Sequence, residues 1–254
     1  VETYRKQRAG APPGFFACEA AGLRWLSVRG GAPVVAVRDV GVTHLDLDRL
    51  SEVPPTRRAA ADLGRGLAVM HDAGAPRFGS PPPGWGGDGF FGPVDQPLPM
   101  LAGDHGRWGA FLADCRIEPL AREAERRRAL APDDVALLRL LADVLRAGGL
   151  DDDDPPARLH GDLWSGNVLW TPAGATLIDP AAHGGHRETD LAMLALFGFP
   201  YLDDVLAAYQ EVHPLRRGWR HRVALHQVYP VGMHAVLFGG GYAQQLHRLV
   251  APYV

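Results

Sequence analysis

Two cysteines, Cys18 and Cys115, are all that the 254 residues contain. That scarcity excludes a disulfide-stapled fold and a cysteine-rich zinc site; it suits a reducing compartment in which both thiols stay buried and free. Long apolar runs are missing too, so no membrane span is expected although 46% of the residues are hydrophobic. The formal charge of -3 is spread over interspersed Arg, Asp and Glu, with no basic stripe of the kind that grips nucleic acid. Lysine is nearly absent: of 26 Lys plus Arg residues, Lys6 is the only lysine. Heavy use of Arg, Ala, Gly and Pro indicates a GC-rich coding bias. Under it a retained ammonium is either a chance survivor or a group that a bulkier planar guanidinium cannot replace. What remains is a globular, cytoplasmic chain long enough to bury a core, as one domain or as two closely packed lobes.

What is present falls into two compositional halves. "VETYRKQ" alternates as a strand does and is already alternating at Val1, so residues upstream are expected to complete the first lobe. The turn-rich "AGAPPG" leads into "FFACEAAGLRWLSV", whose Phe16, Ala20, Leu23 and Leu26 recur at helical spacing. Two short strands, "PVVAVRDV" and "HLDLDRL", close a small lobe over residues 1–50. Residues 51–254 are mostly helical in pattern. Thr56 can cap a helix lined by Leu63, Leu67 and Met70, and another pattern runs from Pro132 to Leu145. Residues 75–106, rich in Pro and Gly, are expected to be loop, and the acidic run "DDDDPP" at 151–156 a solvated loop.

The chemistry concentrates in "LHGDLWSGNVLW", residues 159–170, and the "ATLIDP" that follows. Strand, tight polar loop, strand, turn and strand put Asp162 and Asn167 on one loop and Asp179 at the end of the adjacent strand. Two carboxylates and an amide oxygen are hard donors of the kind Mg²⁺ takes, and a carboxylate outside the metal's inner shell can accept a proton from an attacking hydroxyl. An Asp followed by Asn five residues later, then a metal-binding Asp on the next strand, is the pattern of the kinase catalytic loop, with Gly161 where protein kinases have Arg. Lys6 and Glu19 fit the Lys–Glu pair that orients nucleotide phosphates. "LDLDRL" would then be a hinge whose backbone near Asp48 and Leu50 binds adenine. The Gly-rich loop expected before Lys6 is not in this chain. Between Asp179 and Asp190 there is no room for a peptide-docking segment, which favours a small acceptor.

At these residues the sequence resembles the fructosamine kinase (ketosamine kinase) family, relatives of the aminoglycoside phosphotransferases. "LHGDLWSGN" is similar to that family's catalytic loop, "IDPAAHGGHRETDLAMLALFGFP" to its metal-Asp segment, "AGAPPGFFACEAAGL" to its first helix, and "LGRGLAVMH" to the first helix of its second lobe. The resemblance implies an α+β, protein-kinase-like fold with a small β-rich N-lobe (1–50, nucleotide-binding) and a helical C-lobe (51–254, catalytic and acceptor-binding). It implies that Asp162 is the base, that Asn167 and Asp179 hold Mg²⁺, that Lys6 and Glu19 position ATP, and that Trp164 shapes the acceptor pocket. His234 takes the place of the family's late-helix histidine, with Met233 and Val236 where asparagines are common. The implied activity is ATP-dependent phosphorylation of a sugar hydroxyl on a ketosamine, free or on a lysine side chain, as in deglycation. No nucleic-acid or membrane partner is expected. The alternatives are an aminoglycoside or other small-molecule phosphotransferase, and a pseudokinase without turnover.

Overall fold

The computed structural model describes residues 2–92 and 95–254. The chain opens with β1 (Thr3–Gln7), α1 (Phe15–Leu26), β2 (Val37–Val40) and β3 (His44–Asp48). These strands form an antiparallel sheet in the order β1-β3-β2, with Lys6 opposite Leu45. Alternation in β3 turns Leu45 and Leu47 onto α1, where they meet Phe16, Ala20 and Leu23 in a small apolar core. The same face of α1 carries Glu19 inward.

The expected helix after Thr56 is α2 (Arg57–Asp72), capped by the Thr56 hydroxyl, which accepts from Ala59 N at 3.2 Å. It lies against α7 (Leu202–Val212) so closely that a Cβ on Gly64 would stand 2.1 Å from the Val205 carbonyl. The Pro- and Gly-rich stretch is not all loop: β4 (Gly89–Phe91) and β5 (Leu98–Met100) pair as a short hairpin that buries Phe91, Leu98 and Met100. Strands of three residues are too short to display a period, which is why the sequence pattern hides them. Helix α3 (Trp108–Leu112) runs through a wide π-turn at Ala113–Ile117 into α4 (Glu118–Arg127), and α5 (Pro132–Ala147) follows. With α8 (Trp219–Phe238) and α9 (Tyr242–Val250) these helices enclose the largest core, around Ile117, Leu138, Leu141, Val228 and Val231.

Between the helices sit two antiparallel strand pairs. β6 (Ala157–Leu159) pairs with β9 (His183–Gly185), and β7 (Val168–Thr171) with β8 (Gly174–Leu177); α6 (Arg187–Leu196) follows β9. Val35 N donates to the Leu177 carbonyl at 3.0 Å and Leu177 N to the Pro33 carbonyl at 2.8 Å, tying the first sheet's flank to β8. Among the described residues no helix is long and apolar enough to cross a membrane.

The acidic run departs from expectation. Asp154 is buried and takes Arg187 Nε at 2.7 Å and Arg216 Nε at 2.6 Å, while His186 Nε2 donates to Asp152 at 3.1 Å and Gly109 N donates to Asp151 at 2.6 Å. Only Asp153 points into water, at 99% side-chain exposure. Composition marks such a run as solvated, but the arginines that turn it inward lie more than thirty residues away in sequence. Arg222 pairs with Glu188 at 2.5 Å in the same network. The His186, Glu188 and His226 side chains also converge here. His186 Nδ1 accepts the Glu188 N–H at 3.1 Å, which leaves the ring hydrogen on Nε2, facing Asp152. With the carboxylates matched by arginines, this cluster is an ionic strut behind the loop that carries Asp162.

Candidate active site

One cavity of about 530 Å³ opens between the first sheet, the β4–β5 hairpin and the 160–182 segment. Lys6, Glu19, Asp162, Trp164, Asn167, Asp179 and His234 all line it. Asp48 and Leu50 do not. The Asp48 carboxylate is paired with Arg38, its N–H is given to the Ala36 carbonyl at 3.0 Å, and the next N–H, of Arg49, goes to Glu2 O at 2.9 Å. Leu50 packs onto the Phe15–Phe16 core. The Asp48 and Arg49 amides are thus spent within the chain.

The loop holding Asp162 is built by backbone constraints. Gly161 has φ +81, and a Cβ there would lie 2.1 Å from the Ala181 carbonyl, so no side chain fits where protein kinases carry Arg. The buried His160 ring donates Nε2–H to the Ile178 carbonyl at 2.9 Å and accepts Asp162 N at 3.3 Å on Nδ1. Asn167 turns its amide nitrogen toward three oxygens: the Asp162 carbonyl at 2.8 Å, Asp162 Oδ2 at 3.0 Å and the Asp179 carbonyl at 3.4 Å. Those acceptors fix the amide's orientation and leave Oδ1 as its unused acceptor. Asp179, itself at φ +52, presents a carboxylate that is 42% exposed. A non-glycine residue in the left-handed region at such a point is strain held by its surroundings.

The charges form a compact set. Lys6 Nζ donates to both Glu19 oxygens, at 3.0 and 2.8 Å, and lies 3.2 Å from Asp179 Oδ1. Burial penalises its ammonium, but the two carboxylates outweigh that and hold its pKa above the ordinary lysine value. Burial pushes Glu19 up to about 7 against the pull of Lys6. Asp162 is also pushed up to about 7, first by burial; the Asn167 hydrogen bond opposes the shift and the Asp179 and Asp190 carboxylates add to it. Toward the other end of the cavity the lining is aromatic, with Trp164, Phe91, His234 and Phe238.

A metal that needs hard oxygen donors fits this set: among the described residues nothing bonds Asn167 Oδ1, and the half-exposed Asp179 carboxylate belongs to the residue whose backbone carbonyl Asn167 grips. The fructosamine kinase family model matches residues 5–254. The chain belongs to the fructosamine kinase family. It is therefore an ATP-dependent kinase acting on a ketosamine, and its fold is the α+β, kinase-like one. Similar proteins include a "Probable ketoamine kinase" of Thermus thermophilus, 35% identical over 94% of this chain and 83% of that protein. One from Synechocystis is 32% identical over 92% and 77%. A "putative fructosamine-3-kinase" from Thermobifida fusca superposes with a TM-score of 0.87 at 47% identity, covering 98% of this chain and 84% of that one. A thermostable mutant of the aminoglycoside phosphotransferase APH(4)-Ia, at 18% identity and a TM-score of 0.56 over 98% and 86%, shares the fold.

The sequence marks Asp190 only as the residue that closes the short stretch after Asp179 and enters the next helix; its hold on the loop, and the places of Phe90, Phe91 and Cys18 in the cavity, were not read from it. Asp190 is fully buried and accepts His160 N at 2.7 Å and Gly161 N at 2.9 Å, holding the loop from below. Its signal was a carboxylate inside the apolar helical stretch "DLAMLALFG". Phe90, Phe91 and Cys18 also line the cavity, Cys18 being half-buried and not sequestered. His183 and His186 are both buried behind the loop and face a separate small cavity, away from the large one. Trp108 is a packing residue, stacked on His226 at 4.5 Å.

Proposed function

We propose that this kinase transfers the γ-phosphoryl group of ATP to a hydroxyl of a ketosamine sugar, with Asp162 as the general base. The carrying observation is the convergence of Lys6, Asp162, Asn167 and Asp179 on one cavity with Trp164 and His234. Asp162 is held by Asn167 and its loop, so its free oxygen is aimed by hydrogen bonds before any acceptor arrives. With a pKa near 7, it takes up a proton readily near neutrality, which is what a base for an alcohol needs at the moment the hydroxyl attacks. Lys6, oriented by Glu19, is placed to grip phosphate oxygens as a point charge. Asn167 Oδ1 and Asp179 would hold Mg²⁺, which when bound neutralises charge developing on the phosphates. Trp164 and His234 would bound the acceptor, with the indole face covering the apolar side of the sugar. In this reading residues 1–50 serve the nucleotide and residues 51–254 the catalytic base and the acceptor.

The inward-turned acidic run favours a ketosamine over an aminoglycoside. Polycationic antibiotics require several unpaired carboxylates around the acceptor. Asp152, Asp154 and Glu188 are consumed by Arg187, Arg216, Arg222 and His186. The acceptor is thus a sugar with a single amine, free or on a lysine side chain. The unbonded thiols of Cys18 and Cys115 support a cytoplasmic setting, and deglycation by phosphorylation of glycated amines is the corresponding role. Turnover with ATP and Mg²⁺ should be measured side by side on fructosyl-lysine and kanamycin. Fructosyl-lysine should be the better acceptor; equal or better use of kanamycin would overturn the ketosamine assignment and leave the kinase chemistry standing.

A further inference from the structure

A ketosamine is a cation at neutral pH, because its secondary amine is protonated, and a cation entering a partly enclosed cavity needs a counter-group. The carboxylates among the described lining residues are Glu19, Asp162 and Asp179. Glu19 and Asp179 face Lys6, and Asp162 is bound by Asn167 at the reacting end. Around His234 the surroundings are instead aromatic. Phe197 lies 5.0 Å from the imidazole and meets Trp164 edge-on at 6.2 Å and 77°, and Phe238 lies 5.5 Å from the same imidazole. His234 itself donates Nδ1–H to the Pro230 carbonyl at 2.7 Å. That bond leaves Nε2 as an acceptor lone pair, and burial holds the ring below the ordinary histidine pKa, against the pull of the Pro230 carbonyl. A neutral acceptor set among aromatic faces is a site for a single ammonium group.

Phe238 is the unusual member. It is the last residue of α8, lines the cavity and is 60% exposed. Its ring thus lies at the cavity rim beside His234, where it can cover a group that enters the site. We propose that Phe238, with the face of Trp164 and the Nε2 lone pair of His234, is the subsite for the protonated amine of the acceptor, and that the first carbons of the amine's substituent run out across Phe238. Phe197 is a positioning residue, keeping Trp164 and His234 in place. Because the rim is open at Phe238, an amine tethered to a larger molecule is accommodated, as a glycated lysine would be. This inference rests on the ketosamine reading and adds to it which part of the cavity recognises the amine.

The test compares two ligands that share the sugar and differ in charge: the hexylamine ketosamine of fructose, read by its KM, and the uncharged 1-O-hexyl ether of fructose, read as a competitive inhibitor. Phe238→Ala should raise the KM of the amine by about two- to fivefold, the size of an exposed cation–aromatic contact, with kcat unchanged. The inhibition constant of the ether should rise less. Phe238→Leu, which keeps an apolar cover without a ring, should restore the ether and not the amine. Equal penalties on amine and ether would overturn the proposal, as would no change in either. Failure of the wild-type enzyme to phosphorylate the amine at all would instead bring down the ketosamine reading beneath it. Since Phe238 is mostly exposed, both variants are expected to fold, and an unchanged KM for ATP checks that they do.

Discussion

The Asp190 carboxylate accepts the backbone N–H of His160 at 2.7 Å across thirty residues of sequence. Its other oxygen takes Gly161 N at 2.9 Å, and His71 Nε2 stands 3.2 Å away, itself bonded through Nδ1 to the Tyr209 hydroxyl at 2.8 Å. Helices α2, α6 and α7 thus meet at one buried carboxylate, which fixes the two residues preceding Asp162. Asp162 is thus positioned from the helical lobe, through a group that does not line the cavity.

Asp190→Asn tests that coupling. Asparagine offers one oxygen where two backbone N–H groups and an imidazole N–H converge, so its NH₂ meets a donor it cannot bond. The variant should lose about 1–3 kcal/mol of stability, the usual cost of a buried unsatisfied polar group. It should also lose about tenfold or more in kcat, with the KM for ATP near wild type, because Lys6 and Glu19 lie on other elements. Urea midpoints together with steady-state kinetics separate the two effects; a destabilised variant with full kcat would show that Asp190 supports the fold alone.

Gly161→Ala should be worse than its size suggests. The added methyl meets the Ala181 carbonyl at 2.1 Å on a backbone with φ +81, and neither can give way without moving Asp162 or the segment after Asp179. Left-handed strain costs about 1–3 kcal/mol before the clash is counted. We expect loss of turnover on every acceptor and a lowered melting temperature, checked by calorimetry beside the activity assay. Wild-type activity would mean that the loop is not held as described.

Lys6 is expected to resist even a charge-conserving change. Its ammonium fits among Glu19 Oε1, Glu19 Oε2 and Asp179 Oδ1, all within 3.2 Å. A guanidinium is planar and wider and cannot satisfy those three oxygens from one nitrogen. Lys6→Arg should therefore lower kcat/KM for ATP by about tenfold or more, and Asp179→Ala should abolish turnover at any Mg²⁺ concentration. Unchanged ATP kinetics in Lys6→Arg would return Lys6 to the status of a chance survivor of coding bias.

Much of this was legible in the sequence because the chemistry sits in one short loop. Asp162, Asn167 and Asp179 are separated by tight turns, so their spacing nearly fixes their geometry, and Lys6 stood out by being alone. The helices were legible from their apolar periods, and α8 continues through Pro230. What stayed hidden depends on distant partners. Asp152 and Asp154 look solvated until Arg187 and Arg216 arrive, Asp190 looks like a helix carboxylate until His160 is placed above it, and the hairpin at Phe91 and Met100 is too short to show alternation.

The last prediction turns on the burial of Asp162. Its carboxyl is pushed up to about 7, from an unfolded value near 4, so ionising it in the folded, metal-free protein costs stability. The sign follows from proton linkage. Between the two values the folded state holds a proton that the unfolded state has released, so stability rises as pH falls through that window. The cost is fully present above about pH 7 and is gone near about pH 4. Asp162→Asn removes the charge and keeps the shape. With chelator present, so that no cation offsets the carboxylates, the variant should be more stable than wild type by about 1–3 kcal/mol at about pH 8.5. That advantage should shrink to nothing by about pH 4. The same variant should lose about 10²-fold or more in turnover on any acceptor, the size of a general-base effect. Guanidinium denaturation at the two pH values, beside kcat at neutral pH, checks both halves. A variant that is inactive yet no more stable at high pH would mean that the folded protein does not strain the Asp162 charge, and the site would have to draw its basicity from elsewhere.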